Sequence, residues 1–236
     1  MVGMHTPDAE MARLASKALL YSIDRIRVDP PPLGAPRPYE ELLEAVGQTI
    51  TKEGITGAKA LRLFTEVLAP SSISVDHPKF LSFVPGAPTE ASIIFDMVVS
   101  AVSIYAGSWL EGAGAVFAEN QALRWIADLA EFPASAGGVF VSGGTAGNMS
   151  ALIAGRHWWR SRNEGRHNHT RGLIIASKGA HSSVAQAARA MDADVLLVPA
   201  DERGRLVGTA LRATIDAMSQ VDRDRLFAIV ATCGTT

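Results

Sequence analysis

Cysteine is nearly absent: Cys233 is the only one in 236 residues. A single thiol makes neither a disulfide framework nor a cysteine-based metal site within one chain, which suits a reducing compartment and points to the cytoplasm. Long apolar runs are missing too. No stretch reaches the ~18 apolar residues of a membrane span, and the N-terminus shows no basic-then-apolar leader, so neither a membrane nor export is expected. Charge of one sign is also scarce. A formal net charge of −2 leaves no basic footprint for nucleic acid, and the arginines from Arg156 to Arg171 are mixed with His, Asn and Glu, as in a solvated loop. No internal repeat occurs. Two common phosphate-binding signatures are absent as well: there is no G-x-x-x-x-G-K-[ST], and Gly143, Gly144 and Gly147 do not form G-x-G-x-x-G.

What is present is a chain with 47% hydrophobic and 19% charged residues, enough to bury a large core as one domain, or one domain plus an arm. Its most informative stretch is Val139-Phe140-Val141-Ser142-Gly143-Gly144-Thr145. Val139 to Val141 reads as a buried strand. Met149, Leu152 and Ile153 then fall at helical spacing, with Thr145 as N-cap. A strand, a glycine turn and a helix aim unpaired amides at a phosphate or carboxylate. The same pattern also serves as a plain strand-to-helix turn, and taken alone it leaves both readings open.

Before this stretch the chain reads as helices and loops. Asp8 to Arg27 is amphipathic, with Ala12, Ala15, Leu19, Ile23 and Ile26 on one stripe. Pro30 to Pro38 is an extended linker, and Tyr39 to Ile50 and Gly57 to Leu68 read as short helices. Such an arm buries too little against itself and is expected to pack on another domain or subunit. Residues 71–88 read as a loop whose Phe80, Leu81, Phe83 and Val84 fill core or wall a pocket. Thr89 caps a long apolar stretch to about Ile104 that reads as a buried helix. A Gly112-Ala113-Gly114 turn precedes a helix from Val116 to Glu131.

After residue 170 the period alternates. Leu173 to Ala176, Val195 to Val198 and Phe227 to Val230 read as strands, with helices at Ser182 to Met191 and Thr209 to Met218 between them. Apolar strands alternating with helices imply an α/β fold, a parallel sheet covered on both faces with ligands at the strands' carboxyl ends. Three polar stretches fall there: Gly143 to Thr145, Ser177 to Ser183, and Thr232 to Thr236. His181 alone reads more readily as a structural partner of a nearby carbonyl than as a catalyst. Together the three stretches suit an aromatic, phosphorylated cofactor.

Six motifs, in order and spacing, resemble the group II pyridoxal-phosphate-dependent amino-acid decarboxylases, which include the aromatic-L-amino-acid and glutamate decarboxylases. They are His77-Pro78-Lys79-Phe80, the Trp109 region, Glu119 through Trp125 with Pro133, Ser142 through Asn148, Ala180-His181-Ser182-Ser183, and Ala231 through Thr236. The resemblance runs from about Ala12 onward. It implies fold type I, the aspartate-aminotransferase-like large domain, preceded by an N-terminal helical arm. It sets residues 1–76 as an arm wrapping the partner subunit of a homodimer, and residues 77–236 as a pyridoxal-phosphate-binding domain incomplete at its C-terminus.

By that likeness Gly144 and Thr145 hold the cofactor phosphate, His181 stacks on the pyridine and is the catalytic residue, and Thr232 lies at the ring edge. Phe83, Val84 and Pro85 match the segment lining the substrate side-chain pocket. Tyr105 joins them in favouring an apolar or aromatic amino-acid substrate, with Gly107 leaving space. The chain departs from the family at Ala146 and at Gly112-Ala113-Gly114. The family's pyridine-pairing Asp and its His-Lys follow the Gly-Thr-Thr motif. None of the five lysines, Lys17, Lys52, Lys59, Lys79 and Lys178, has the His-Lys context, and Lys178 reads as surface. The expectation is the first half of an enzyme, completed by sequence beyond Thr236 or by its C-terminal half as a separate chain. A lyase of phosphorylated long-chain bases and a non-catalytic fragment serving ligand binding or dimerisation are the alternatives.

Overall fold

The computed structural model describes residues 8–82, 86, 88–162 and 170–232. Its contacts gather into two compact units, Met1–Ile104 and Tyr105–Thr236.

The regular structure described in the first unit is helical. Helix α1 (Ala9–Arg27) starts where Asp8 Oδ1 accepts the Met11 N–H at 2.8 Å, the usual way an Asp satisfies a first-turn amide. Helix α2 (Tyr39–Val46) stops at Gly47, whose φ of +68° turns the chain out of the helix. That is short of the expected Ile50, because glycine enters the left-handed region without penalty. Helix α3 (Gly57–Leu63) is capped by Thr56 and runs into one π turn, Phe64–Leu68. Helix α4 (Glu90–Val102) begins at Thr89, whose hydroxyl accepts the Ser92 N–H. Arg25 grips Asp76 with two hydrogen bonds of 3.0 and 2.9 Å, fastening α1 to the loop beyond the π turn. None of these four helices buries a residue. Ala15, Leu19, Ile23, Ile26, Ile94 and Met97 of α1 and α4 line an open apolar groove.

The second unit contains α5 (Trp109–Leu129), α6 (Gly144–Arg162), β1 (Leu173–Ser177), α7 (Ser182–Ala190), β2 (Asp194–Val198), α8 (Gly208–Ala217), α9 (Gln220–Arg225) and β3 (Leu226–Val230). The strands form a parallel sheet in the order β2-β1-β3. Strand β1 is buried along its whole length. Its Ile174 and Ala176 join Leu152 of α6 and Val184, Ala187 and Ala188 of α7 in the core. Coverage on both faces therefore holds for β1, while β2 and β3 are mostly half-buried. From β1 the chain crosses through α7 to β2, then back past β1 to β3. The order reverses at the boundary between β1 and β3.

Several sequence expectations change. Helix α4, read as buried, is not: Ile94, Phe95, Met97, Val98, Val99 and Val102 are exposed, since an apolar run does not itself supply a surface to cover it. Val139 to Val141 is not a strand: no described strand lies beside it to complete a ladder, its residues are exposed, and the Phe140 N–H donates to Glu119 Oε1 at 3.4 Å. The Gly112-Ala113-Gly114 turn is present only as a kink at Gly112, where two helical segments meet. It lies inside α5, where Gly112 alone leaves helical geometry (φ −122°, ψ 25°) and is buried. A Cβ there would stand 2.6 Å from the Tyr105 carbonyl oxygen, so the close approach requires glycine. Helix α9, too short and too charged to show an apolar period, was not expected.

Candidate active site

The turn into α6 is made by Gly143. Its N–H donates to the Val141 carbonyl at 2.8 Å, its carbonyl accepts the Gly147 N–H at 3.0 Å, and its φ is +127°, a conformation that disfavours any residue with a Cβ. The Gly147 bond is the first of the helix, so the amides of Gly144, Thr145 and Ala146 precede it and have no acceptor within α6. Thr145 is thus the second helical residue and not the cap, because Gly143 performs the bend. A Cβ built on Gly143 or Gly144 would meet nothing within 4 Å: the turn opens onto free space. Three amides, the exposed Thr145 hydroxyl, the positive end of a 19-residue helix and no acidic residue in its first turn form a donor set for an anion. A cofactor phosphate fits it.

Two side chains join this helix to His181. Asn148, one helical turn beyond Gly144, donates from Nδ2 to Ser183 Oγ at 2.8 Å. Ser183 Oγ is 2.9 Å from His181 Nδ1, and the Ser183 N–H donates to that same nitrogen at 3.2 Å. His181 is the N-cap of α7, so its structural partner is an amide and not the carbonyl expected from sequence. Its ring is exposed, whereas Ser183 is 0% exposed. The approach is short and fixed. Strand β1 ends at Ser177, whose carbonyl accepts the Ala180 N–H at 3.1 Å, and the next residue is His181. Thr232, half-buried, follows β3 by two residues. His181 and Thr232 therefore follow the two strands that flank the reversal of strand order, the position at which open α/β sheets bind ligands.

Of the other expected residues, Tyr105 is 68% exposed. Its ring lies over Gly107 and takes the space that the sequence reading left there. Phe83, Val84 and Pro85 lie outside the described residues, as do Cys233 to Thr236. Lys178 is exposed in the turn after β1. Met149 and Ile153 of α6 are exposed and only Leu152 of that trio is buried. Among the described residues no group of His, Cys, Asp and Glu could hold a metal, and no helix is long and apolar enough to cross a membrane. Sequence reasoning missed Asn148 and gave Ser183 no role. The available signal was their spacing: Asn148 four residues after Gly144 and Ser183 two after His181, each one side-chain reach away.

The α/β fold and a phosphate-type turn beside an exposed imidazole define a class of cofactor-dependent enzymes. Within it, the chain belongs to the pyridoxal-dependent decarboxylase family: the model of the pyridoxal-dependent decarboxylase conserved domain matches residues 53–236. It is 27% identical to an aromatic-L-amino-acid decarboxylase of Bacillus atrophaeus over 96% of this chain and 47% of that protein. It is 32% identical to an L-2,4-diaminobutyrate decarboxylase of Rhizobium meliloti over 69% of this chain and 32% of the relative. The chain thus spans half or less of the length of these curated relatives. A crystal structure of Oryza sativa TDC with PLP and tryptamine superposes with a TM-score of 0.84 at 20% identity, over 100% of this chain and 51% of the other. That likeness establishes the fold as type I.

Proposed function

We propose that the chain provides the phosphate-binding turn and the ring-stacking histidine of a pyridoxal-phosphate-dependent decarboxylase that converts an L-amino acid to its amine and carbon dioxide. The observation that carries the reading is the open, amide-lined turn at Gly143 to Ala146, linked through Asn148 and Ser183 to the exposed ring of His181. When bound, pyridoxal phosphate supplies a protonated, conjugated pyridine that takes up the electron pair released as carbon dioxide leaves. This chain's residues do the holding. The amides of Gly144 and Thr145 and the Thr145 hydroxyl bind the phosphate. The face of His181 stacks on the ring and its free edge assists proton transfer. Thr232 borders the ring, and Phe83, Val84, Pro85 and Tyr105 wall the substrate side chain. The Schiff-base lysine and the carboxylate that pairs with the pyridine nitrogen come from sequence beyond Thr236. The exposed apolar surface of the first unit supports a homodimer, and the single cysteine supports a cytoplasmic setting.

The test is a titration of pyridoxal phosphate into the full-length protein and its Thr145→Ala variant, followed by an assay of carbon dioxide release from a panel of L-amino acids. The native protein is expected to develop the visible absorbance of a lysine-linked cofactor. Thr145→Ala is expected to bind about tenfold to a hundredfold more weakly, the loss of one charge-assisted hydrogen bond. Equal affinities would remove Thr145 from the site. A native protein that binds no cofactor and releases no carbon dioxide would overturn the reading.

A further inference from the structure

Ser183 is the one polar side chain in the second unit's described residues that is fully buried while touching the candidate site, and its contacts have a direction. The Ser183 N–H can only donate, and it donates to His181 Nδ1 at 3.2 Å. That nitrogen is therefore the unprotonated one of a neutral imidazole, and Nε2 bears the proton. The Ser183 hydroxyl, 2.9 Å from the same Nδ1, has the lone pair of that nitrogen before it and donates as well. Its own oxygen accepts the Asn148 amide at 2.8 Å. Every proton in the chain Asn148 to Ser183 to His181 runs toward Nδ1. Ser183 has 0% exposure, so no water competes for its hydroxyl and the direction set at Asn148 is passed on intact.

From this we infer that Asn148 and Ser183 are positioning residues that lock His181 in its Nε2–H tautomer and fix the plane of its ring. Asn148 sits one turn into the helix whose first amides face the phosphate, so α6 both offers the cradle and orients the stacking ring. The inference rests on the proposed cofactor site for its purpose, but the tautomer itself does not.

Asn148→Asp tests it with almost no change of shape. A carboxylate cannot donate, so it accepts the Ser183 hydroxyl proton and turns the hydroxyl's lone pairs toward Nδ1. Nδ1 then faces lone pairs of the Ser183 oxygen while keeping the Ser183 N–H, so the Nε2–H tautomer loses one of its two holding bonds and the form with the proton on Nδ1 gains population. Histidine side-chain 15N spectra of the full-length apo-protein, recorded above the pH at which the ring ionises and assigned by the signal lost in His181→Phe, read the tautomer directly. The native protein is expected to show one pattern, protonated Nε2 and bare Nδ1, and Asn148→Asp a mixture in which a measurable fraction carries the proton on Nδ1, short of complete because the Ser183 N–H still faces that nitrogen. In parallel, Asn148→Asp and Ser183→Ala should each weaken pyridoxal-phosphate binding by about threefold to tenfold. Ser183→Ala, which adds no charge near the phosphate, should not weaken it further in a His181→Phe background, where no ring nitrogen remains to orient. An unchanged 15N pattern in Asn148→Asp, or equal losses of affinity from Ser183→Ala with and without His181, would overturn the inference. If the native protein binds no cofactor while the tautomer shifts as expected, the lock stands and the cofactor reading fails.

Discussion

At the scale of single residues, His181 carries two loads that can be separated. As N-cap it satisfies the Ser183 amide, a contribution of about 1 kcal/mol to stability; as a flat ring it is proposed to stack on the cofactor. Phenylalanine preserves the face and discards both nitrogens. His181→Phe is therefore expected to keep most of the cofactor affinity and lose most of the turnover, while His181→Ala loses both. Thermal unfolding of the two apo-variants should show a similar small destabilisation, since each lacks the cap. Near-normal turnover in His181→Phe would refute a catalytic role for the imidazole.

A second residue, Asp201, shows how local bonds set a charge. The Arg205 guanidinium and the backbone N–H of Arg205, helped by the Arg203 N–H and the charge of Arg205, hold its carboxyl below the ordinary carboxylate range against the opposing effect of desolvation. The folded state thus binds this proton less readily than the unfolded chain does. The loop's contribution to stability is present above the unfolded carboxylate's pKa and disappears as pH falls through the lowered folded value. An NMR titration of the Asp201 carboxyl in native protein and in Arg205→Met should show its midpoint rise in the variant; an unmoved midpoint would discard the pairing as its cause.

At the scale of elements, the two ends of the sheet are built from different chemistry. At the amino ends, Arg171 pairs with Asp194 at 3.1 Å and with Asp192, and Arg225 pairs with Asp222 at 3.0 Å and with Asp194. The Arg225 Nε also donates to the Arg171 carbonyl at 2.9 Å. Charges from before β1, at the start of β2 and before β3 thus clamp the three strands together. At the carboxyl ends the charges stay within single loops instead, Lys178 after β1 and the Asp201–Arg205 pair after β2. Asp194→Ala removes the shared acceptor of both arginines. The pairs are partly exposed, so the expected loss is about 1 kcal/mol and shrinks in high salt. Chemical denaturation at two salt concentrations checks it, and cofactor affinity should not move. A loss unaffected by salt would mean that the aspartate acts by packing.

The elements also show what the residues could announce beforehand. Strands β1, β2 and β3 were legible because buried parallel strands are apolar without interruption, and α7 because its period is unbroken. Val139 to Val141 has the same apolar look, yet a strand exists only with a partner, which a local pattern does not contain. Gly143 was legible as part of a turn but not as the cap, since only its φ separates it from Gly144. The Asn148, Ser183 and His181 chain links residues 35 apart in sequence, and no periodicity reports such a contact.

At the scale of the whole molecule, the first unit leaves its apolar surface uncovered. Leu19, Leu20, Leu43 and Phe64 are each at least 44% exposed, and no residue of α1, α2 or α3 is buried. A polar cap at Asp8, another at Thr56 and the Arg25–Asp76 fork give these helices definite ends and anchors, so the segment is folded with its hydrophobic face unpaired. Isolated helices of this length gain little from themselves; burial against a partner supplies most of their stability. A two-fold arrangement offers each arm the same surface on a second copy, and closes without leaving a free face for further addition. Deleting residues 8–68 from the full-length protein is therefore expected to convert a dimer into monomer or aggregate by light scattering, with stability no longer rising with protein concentration. A soluble, cofactor-binding dimer after that deletion would show that the two-fold contact lies in the second unit or beyond residue 236, and would leave the arm's apolar face as cover for its own subunit.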